Sequence, residues 1–486
     1  MAQTRREFLR NTACGTLAAT AMVRGMDKMF LVNALAKPAD PTDYKALVCV
    51  FLFGGNDANN VVIPYTDYPQ YDAIRGQGVG LAIPQDRLFR ITVPSHQKDF
   101  GLHPSLSGLA NLWSQGKVAI LANTGNLIRP ISRAEYESNV GRPYQLFSHS
   151  DQVTANQTSY GQGHATSGWG GALADRIHGS QTFPVVTSIN GVQMFNAGVV
   201  TRPLIIGAAP TRLDQVLNVT RNYPELSQIV NIERADGTRT IVANSGSLIF
   251  DALTILQTLR DIGDPTLTTT FPNTGFANQL KQVAKMIKIA PQIGGVQRQI
   301  FFVAIGGFDT HNNQVAGGDP TSGQHANLWT QVDQGLTAFY NCIDGELGLA
   351  SQVTAFTMSD FSRTLKPNDP GTPQVGTDHA WGSHHLVVGG AVNGGDFYGT
   401  FPQFTLGGDD DVDNGTGARG RFLPTTSLDQ YGATLALWYG LNPSDLPLVF
   451  PNINNYSTVD LGFMQPPMGP VAANGRRSLL RRALGL

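Results

Sequence analysis

Charge is scarce in this chain of 486 residues: Asp, Glu, Lys and Arg make up 14% of it, and the formal net charge is −2. So weak and balanced a field has nothing with which to recruit nucleic acid or an anionic lipid surface, and a nucleic-acid partner is excluded. Cysteine is scarcer still, with only Cys14, Cys49 and Cys342. Cys14 falls in the N-terminal address described below, so disulfides do not hold this fold. Cys49 and Cys342 read as small buried hydrophobes, with a single bridge between them as the alternative. Long apolar runs are lacking too. No segment reaches the roughly 18 uncharged apolar residues that span a bilayer, so no transmembrane segment is expected in the mature chain. Also missing are a Gly-x-Ser-x-Gly elbow, a Gly-x-Gly-x-x-Gly turn after a strand, a Walker lysine and zinc-protease histidine spacing. Their absence argues against an α/β-hydrolase, dinucleotide or ATP binding, and a zinc protease.

What the sequence does have is turn and loop chemistry: 54 glycines and 28 prolines, scattered rather than repeated. The N-terminus carries Arg5-Arg6-Glu7-Phe8-Leu9, the twin-arginine export pattern, followed by an apolar stretch from Ala13 to Val23 and an Ala34-Leu35-Ala36 cleavage signal. Residues 1–36 are therefore expected to be a signal peptide read by the twin-arginine export machinery, which delivers the protein to the periplasm or beyond. The alternative is a basic amphipathic N-terminal helix.

Short continuous apolar runs at 46–53, 118–122, 299–305 and 353–358 read as buried strands. Helical patterns lie between them, at 106–113 and 328–347. That alternation predicts an α/β fold, a mostly parallel central sheet with helices on both faces, over a single domain at 37–470. Residues 210–290 read as a mainly helical insertion, or as further crossover helices, and 471–486 as a C-terminal tail.

In such sheets ligands gather at the carboxyl ends of the strands. The first run ends in Gly54-Gly55-Asn56-Asp57, the third in Asp309-Thr310-His311 and the fourth in Asp360. A further segment, Asp378-His379-Ala380-Trp381-Gly382-Ser383-His384-His385, adds another carboxylate and three histidines. Converging carboxylates repel one another, and their burial calls for a cation. Mixed carboxylate and imidazole groups suit Zn²⁺ or Mn²⁺. Each piece also has a plain reading: a tight turn at Gly54, a helix cap at Asp309, a surface loop at His384-His385. Between the first and second acidic strands, Leu146-Phe147-Ser148-His149-Ser150-Asp151 offers a serine at a helix start, as a candidate nucleophile or as an ordinary N-cap.

These blocks, together with Gly168-Trp169-Gly170-Gly171, Ser359-Asp360-Phe361-Ser362-Arg363-Thr364 and Leu428-Asp429-Gln430-Tyr431-Gly432, resemble a family of exported bacterial proteins of unknown function. That family is placed in the alkaline phosphatase–sulfatase superfamily. The resemblance implies an alkaline-phosphatase-like fold and a metal-dependent hydrolase of phosphate or sulfate esters, acting on a small anionic ester. It implies Asp57 and Asp360 on one metal, and on a second metal Asp309 and His311 with a histidine from His379, His384 or His385; Asp378 joins the candidate ligands. It further implies Ser148 as nucleophile and Arg363 as a contact for an anionic oxygen. Asp360 departs from the phosphatase pattern in being followed by Phe361 where phosphatases place a ligating histidine. The alternative function is a non-catalytic exported binding or assembly protein on the same scaffold.

Overall fold

The computed structural model describes residues 44–466 apart from 77, 79, 164, 178, 180 and 216–239. The expected signal segment and C-terminal tail lie outside the described residues, as does part of the expected insertion at 210–290.

Among the described residues, nine strands form the main sheet: β1 (Lys45–Phe53), β2 (Val118–Gly125), β3 (Val186–Ser188), β4 (Leu204–Ile205), β5 (Arg298–Gly306), β6 (Val353–Ser359), β7 (Ser383–Gly389), β8 (Phe397–Tyr398) and β9 (Thr426–Ser427). They lie in the order β8-β2-β7-β6-β1-β5-β3-β4, with β9 also paired to β2. β1 sits between β5 and β6 in parallel register, Val48 opposite Phe301 and Ala355. Only β7 runs against its neighbours. The expected mostly parallel α/β sheet is therefore present, with one antiparallel strand, β7, beyond the expected apolar runs.

Both faces are covered, which is why the central strands read as unbroken apolar runs rather than alternating ones. Val48, Val50, Ile120, Phe301 and Val303 face α2 (Ser107–Ser114), α6 (Gly275–Ile289) and α7 (Gln324–Asn341). Leu47, Cys49, Phe51, Phe302 and Phe356 face α4 (Trp169–Ile177) and α8 (Leu428–Tyr439). Cys49 and Cys342 are buried free thiols, so no bridge joins them. Three further helices matter below or flank the sheet: α1 (Tyr68–Arg75), α3 (His149–Thr158) and α5 (Thr240–Ile262). α6, inside the stretch expected to be an insertion, packs directly on the sheet. Its Gln279 amide bonds both the N–H and the C=O of Ala304, at 2.9 and 2.8 Å, and so continues the ladder of β5. Among the described residues, no helix is long and apolar enough to cross a membrane.

α3 and α8 are tied together by a buried carboxyl. Asp429 accepts from Ser159 Oγ at 3.0 Å, just past the end of α3, and from Asn452 N–H at 2.9 Å. Burial outweighs these bonds and pushes the Asp429 carboxyl up to about 7. A raised folded value favours the protonated form in the fold. Its stabilisation is complete below about pH 4 and is lost as the pH rises through about 7, a swing of at most about 4 kcal/mol. Denaturant unfolding of Asp429→Asn should therefore show a flatter stability profile than wild type between pH 5 and 8. Parallel profiles would refute the assignment.

Candidate metal centre

The carboxyl edge of the sheet converges because two glycines let it. Gly54, with φ +112°, follows β1, and a Cβ there would lie 2.4 Å from the Asp309 nitrogen. Gly55, with φ +78°, would place a Cβ 2.5 Å from the Phe361 ring. Only glycine accepts both the left-handed backbone and the close approach. The Gly54 N–H donates to Asp360 Oδ1 at 3.1 Å, and the Phe308 N–H to Phe53 O at 3.1 Å, which locks the three strand ends side by side.

Two more segments enter at this edge. β7 runs antiparallel, so the residues leading into it, Asp378 and His379, arrive where the parallel strands end. A two-residue antiparallel ribbon pairs Arg363 with His379, and directly opposite side chains on such a ribbon share a face. α3 begins at His149, one residue after Ser148.

One ligand-type atom from each of His149, Asp309, His311 and His379 lies within 4.8 Å of the other three. His311 Nε2 is 2.9 Å from His379 Nε2. Asp309 Oδ1 lies 3.3, 3.5 and 3.7 Å from the Nε2 atoms of His311, His149 and His379. Partners on the far side of the rings set their tautomers. A carbonyl oxygen only accepts, so His379 Nδ1, 2.9 Å from Phe147 O, carries the proton and leaves a lone pair on Nε2. His149 Nδ1 lies 2.8 Å from Asp360 Oδ2, and its Nε2 is buried without a hydrogen-bond partner among the described residues. Asp378 Oδ1 faces His311 Nδ1 at 3.5 Å.

The electrostatics follow from these contacts. The hydrogen bond to Asp360 raises the His149 imidazole above its ordinary value. Burial, aided by the charge of Arg363, lowers both His311 and His379, which keeps them neutral. Burial alone would raise Asp309; Arg363, with NH1 2.9 Å from Oδ1, and the nearby imidazoles hold it below the ordinary carboxylate range.

The structure brings together Asp309, His311 and His379 from the expected ligand set, and adds His149. Asp360 and Asp378 stand one layer back, each against an imidazole nitrogen. Asp57 and His384 lie outside the cluster. Asp57 is fully buried and doubly bonded by Arg75, at 2.7 and 2.9 Å. His384 is buried in β7, stacked on Phe401, with Nδ1 accepting from the Asn123 N–H at 3.0 Å. His385 stacks on Tyr431 on the opposite face. Ser148 Oγ donates to Asp151 Oδ2 at 2.6 Å, beside His149. The signal for His149 was present in its place at a helix start among the acidic strands, but the adjacent serine drew the functional reading.

Residues 252–418 match the family model described as "Protein of unknown function (DUF1501)", in keeping with the motif resemblance. The matched stretch contains Asp309, His311, Asp360, Arg363, Asp378 and His379 but not His149. A comparison with curated proteins finds no match. Among solved structures, the C-terminal periplasmic domain of EcEptC from Escherichia coli, in complex with Zn, is similar at 10% identity, over 71% of this chain and 73% of that one, with a TM-score of 0.29. PsFucS1 sulfatase from Pseudoalteromonas sp. is similar at 12% identity, over 78% and 69%, with a TM-score of 0.27. Alkaline phosphatase PafA is similar at 12% identity, over 67% and 64%, with a TM-score of 0.24. These TM-scores lie below 0.5, so none of the three likenesses bears on what this chain binds or does.

Gly54→Ala forces a methyl against the backbone of Asp309. It should cost more than about 2 kcal/mol in denaturant unfolding. Gly345→Ala, where the added methyl meets nothing within 4 Å, should be close to neutral. Equal effects at the two positions would remove the steric account of the converging edge.

Proposed function

We propose that His149, Asp309, His311 and His379 hold a divalent metal ion, and that the protein is an exported metal-dependent hydrolase of phosphate or sulfate esters. One observation carries this reading: three imidazole Nε2 atoms and a carboxylate oxygen face one another, and the buried Nε2 of His149 has no hydrogen-bond partner among the described residues. Buried polar atoms are almost always satisfied, so the unpartnered Nε2 of His149 calls for a cation. Three imidazole nitrogens and one carboxylate suit four-coordinate Zn²⁺. Asp360, Asp378 and Phe147 O orient the rings from behind, the arrangement that fixes ligating histidines in metal sites. An ion held there supplies Lewis-acid polarisation of an ester oxygen.

The chain's own residues supply the rest. Arg363, buried against Asp309, and Arg419 and Arg421, each within 3.7 Å of Asp378, flank the cluster. With a divalent ion present, these positive charges still exceed the negative ones of Asp309, Asp360, Asp378 and Asp413, the last 3.0 Å from Arg421, which favours an anionic substrate. Ser148 is assigned as nucleophile and Asp151 as the acceptor of its proton, on the strength of their hydrogen bond. The serine oxygen bonds to the phosphorus or sulfur, the alcohol departs, and water then releases the serine. Export rests on the Arg5-Arg6 motif.

Elemental analysis of the purified protein should find bound Zn²⁺ or Mn²⁺ that Asp309→Ala loses. Binding should weaken as the pH falls, because protons compete first at His149, the imidazole with the raised value. Ser148→Ala should keep the metal while its hydrolysis of phosphate and sulfate esters falls by about 100-fold or more. Unchanged hydrolysis would remove the serine, and metal without any hydrolysis would favour the non-catalytic scaffold.

A further inference from the structure

We propose that this centre takes one divalent ion rather than two. In this account Arg75 serves as the fixed counter-cation of the third strand-end carboxylate, Asp57, and anchors a buried relay that aims Arg363 at Asp309. The proposal rests on the four-ligand reading above and adds its stoichiometry and its support.

Asp57 leaves no room for an ion. Its side chain and that of Arg75 are both 0% exposed. The guanidinium meets the two carboxylate oxygens in parallel, at 2.7 and 2.9 Å, and Gln314 Nε2 adds a third donor at 2.6 Å. Arg75 is itself fixed, donating to Leu365 O at 2.9 Å, Thr364 O at 2.8 Å and Asn60 Oδ1. Burial alone would raise the Asp57 carboxyl, yet the Arg75 charge holds it below its ordinary value. A second dication would have to displace a guanidinium or lie against it in a dry interior, where like charges repel strongly. Phe361 closes the same region from the other side. Its ring lies 4.8 Å from that of His149 and 4.5 Å from that of His379, backed by Gly55.

The pair is not isolated from the cluster. Gln314, whose amide nitrogen donates to Asp57, accepts through Oε1 from Thr377 Oγ1 at 2.9 Å and Thr310 Oγ1 at 3.1 Å. Thr377 Oγ1 in turn accepts from Arg363 Nε at 3.3 Å, and Arg363 NH1 reaches Asp309 at 2.9 Å. These bonds hold Arg363 through its Nε and, through its NH1, the rotamer of Asp309. Asp57 and Thr377 are positioning residues.

The test measures Zn²⁺ content by elemental analysis and Zn²⁺ affinity by calorimetry on the full purified protein and its variants. Wild type should hold one equivalent. Thr377→Val, isosteric and with its backbone bond to Thr310 intact, should keep one equivalent with about ten-fold weaker affinity. Asp57→Asn should behave alike; if it fails to fold, Thr377→Val and the wild-type count still decide. Two equivalents in wild type, or an unchanged affinity in Thr377→Val, would overturn the proposal. If Asp309→Ala abolishes binding while the relay variants bind as wild type, only this inference falls. If wild type binds no metal, the proposed function falls with it.

Discussion

Carboxylates delivered to one edge of a sheet repel one another, and this carboxyl edge is arranged around that repulsion. β1, β5 and β6 each end in an aspartate, and each aspartate is answered differently. Asp57 is neutralised by a buried guanidinium. Asp360 faces the protonated nitrogen of His149. Asp309 receives Arg363 and turns the same oxygen toward three imidazoles. Buried charge without compensation would cost several kcal/mol per group. The compensating residues are accordingly drawn from distant parts of the chain: α1, the start of α3, and the ribbon formed by residues 362–363 and 379–380.

That convergence is bought by backbone geometry. The two glycines after β1 admit the loops after β5 and β6 to distances that any side chain would block. Behind them, α3 is tied to α8 through Ser159 and Asp429, so the helix that presents His149 is held at its far end as well. A site built on strand ends and a helix start keeps its geometry better than one built on free loops.

Much of this was legible in the residues. The apolar runs at 46–53, 118–122, 299–305 and 353–358 gave strands to within a few positions, because a strand buried on both faces has no polar side to obscure it. The acidic residues at their ends marked the edge where the carboxylates and imidazoles come together. β7 escaped notice because Ser383, His384 and His385 look polar, although the strand buries all three. The division of labour among the aspartates was not legible either. Asp57 and Asp309 follow similar Gly-Gly turns, and nothing local tells one that meets Arg75 from one that meets histidines. Arg75 lies in an ordinary surface-type helix pattern, and only the packing of α1 brings it to Asp57. Nothing local marks His149 rather than its neighbour Ser148 as the functional group, since a histidine at a helix start has no periodic signature of its own.

X-ray absorption at the metal edge of the purified protein tests the central claim most directly. The account predicts a single site with three imidazole nitrogens and one carboxylate oxygen, at about 2.0–2.2 Å. A shell made only of oxygen, or a metal–metal vector at about 3.5–4 Å, would contradict it.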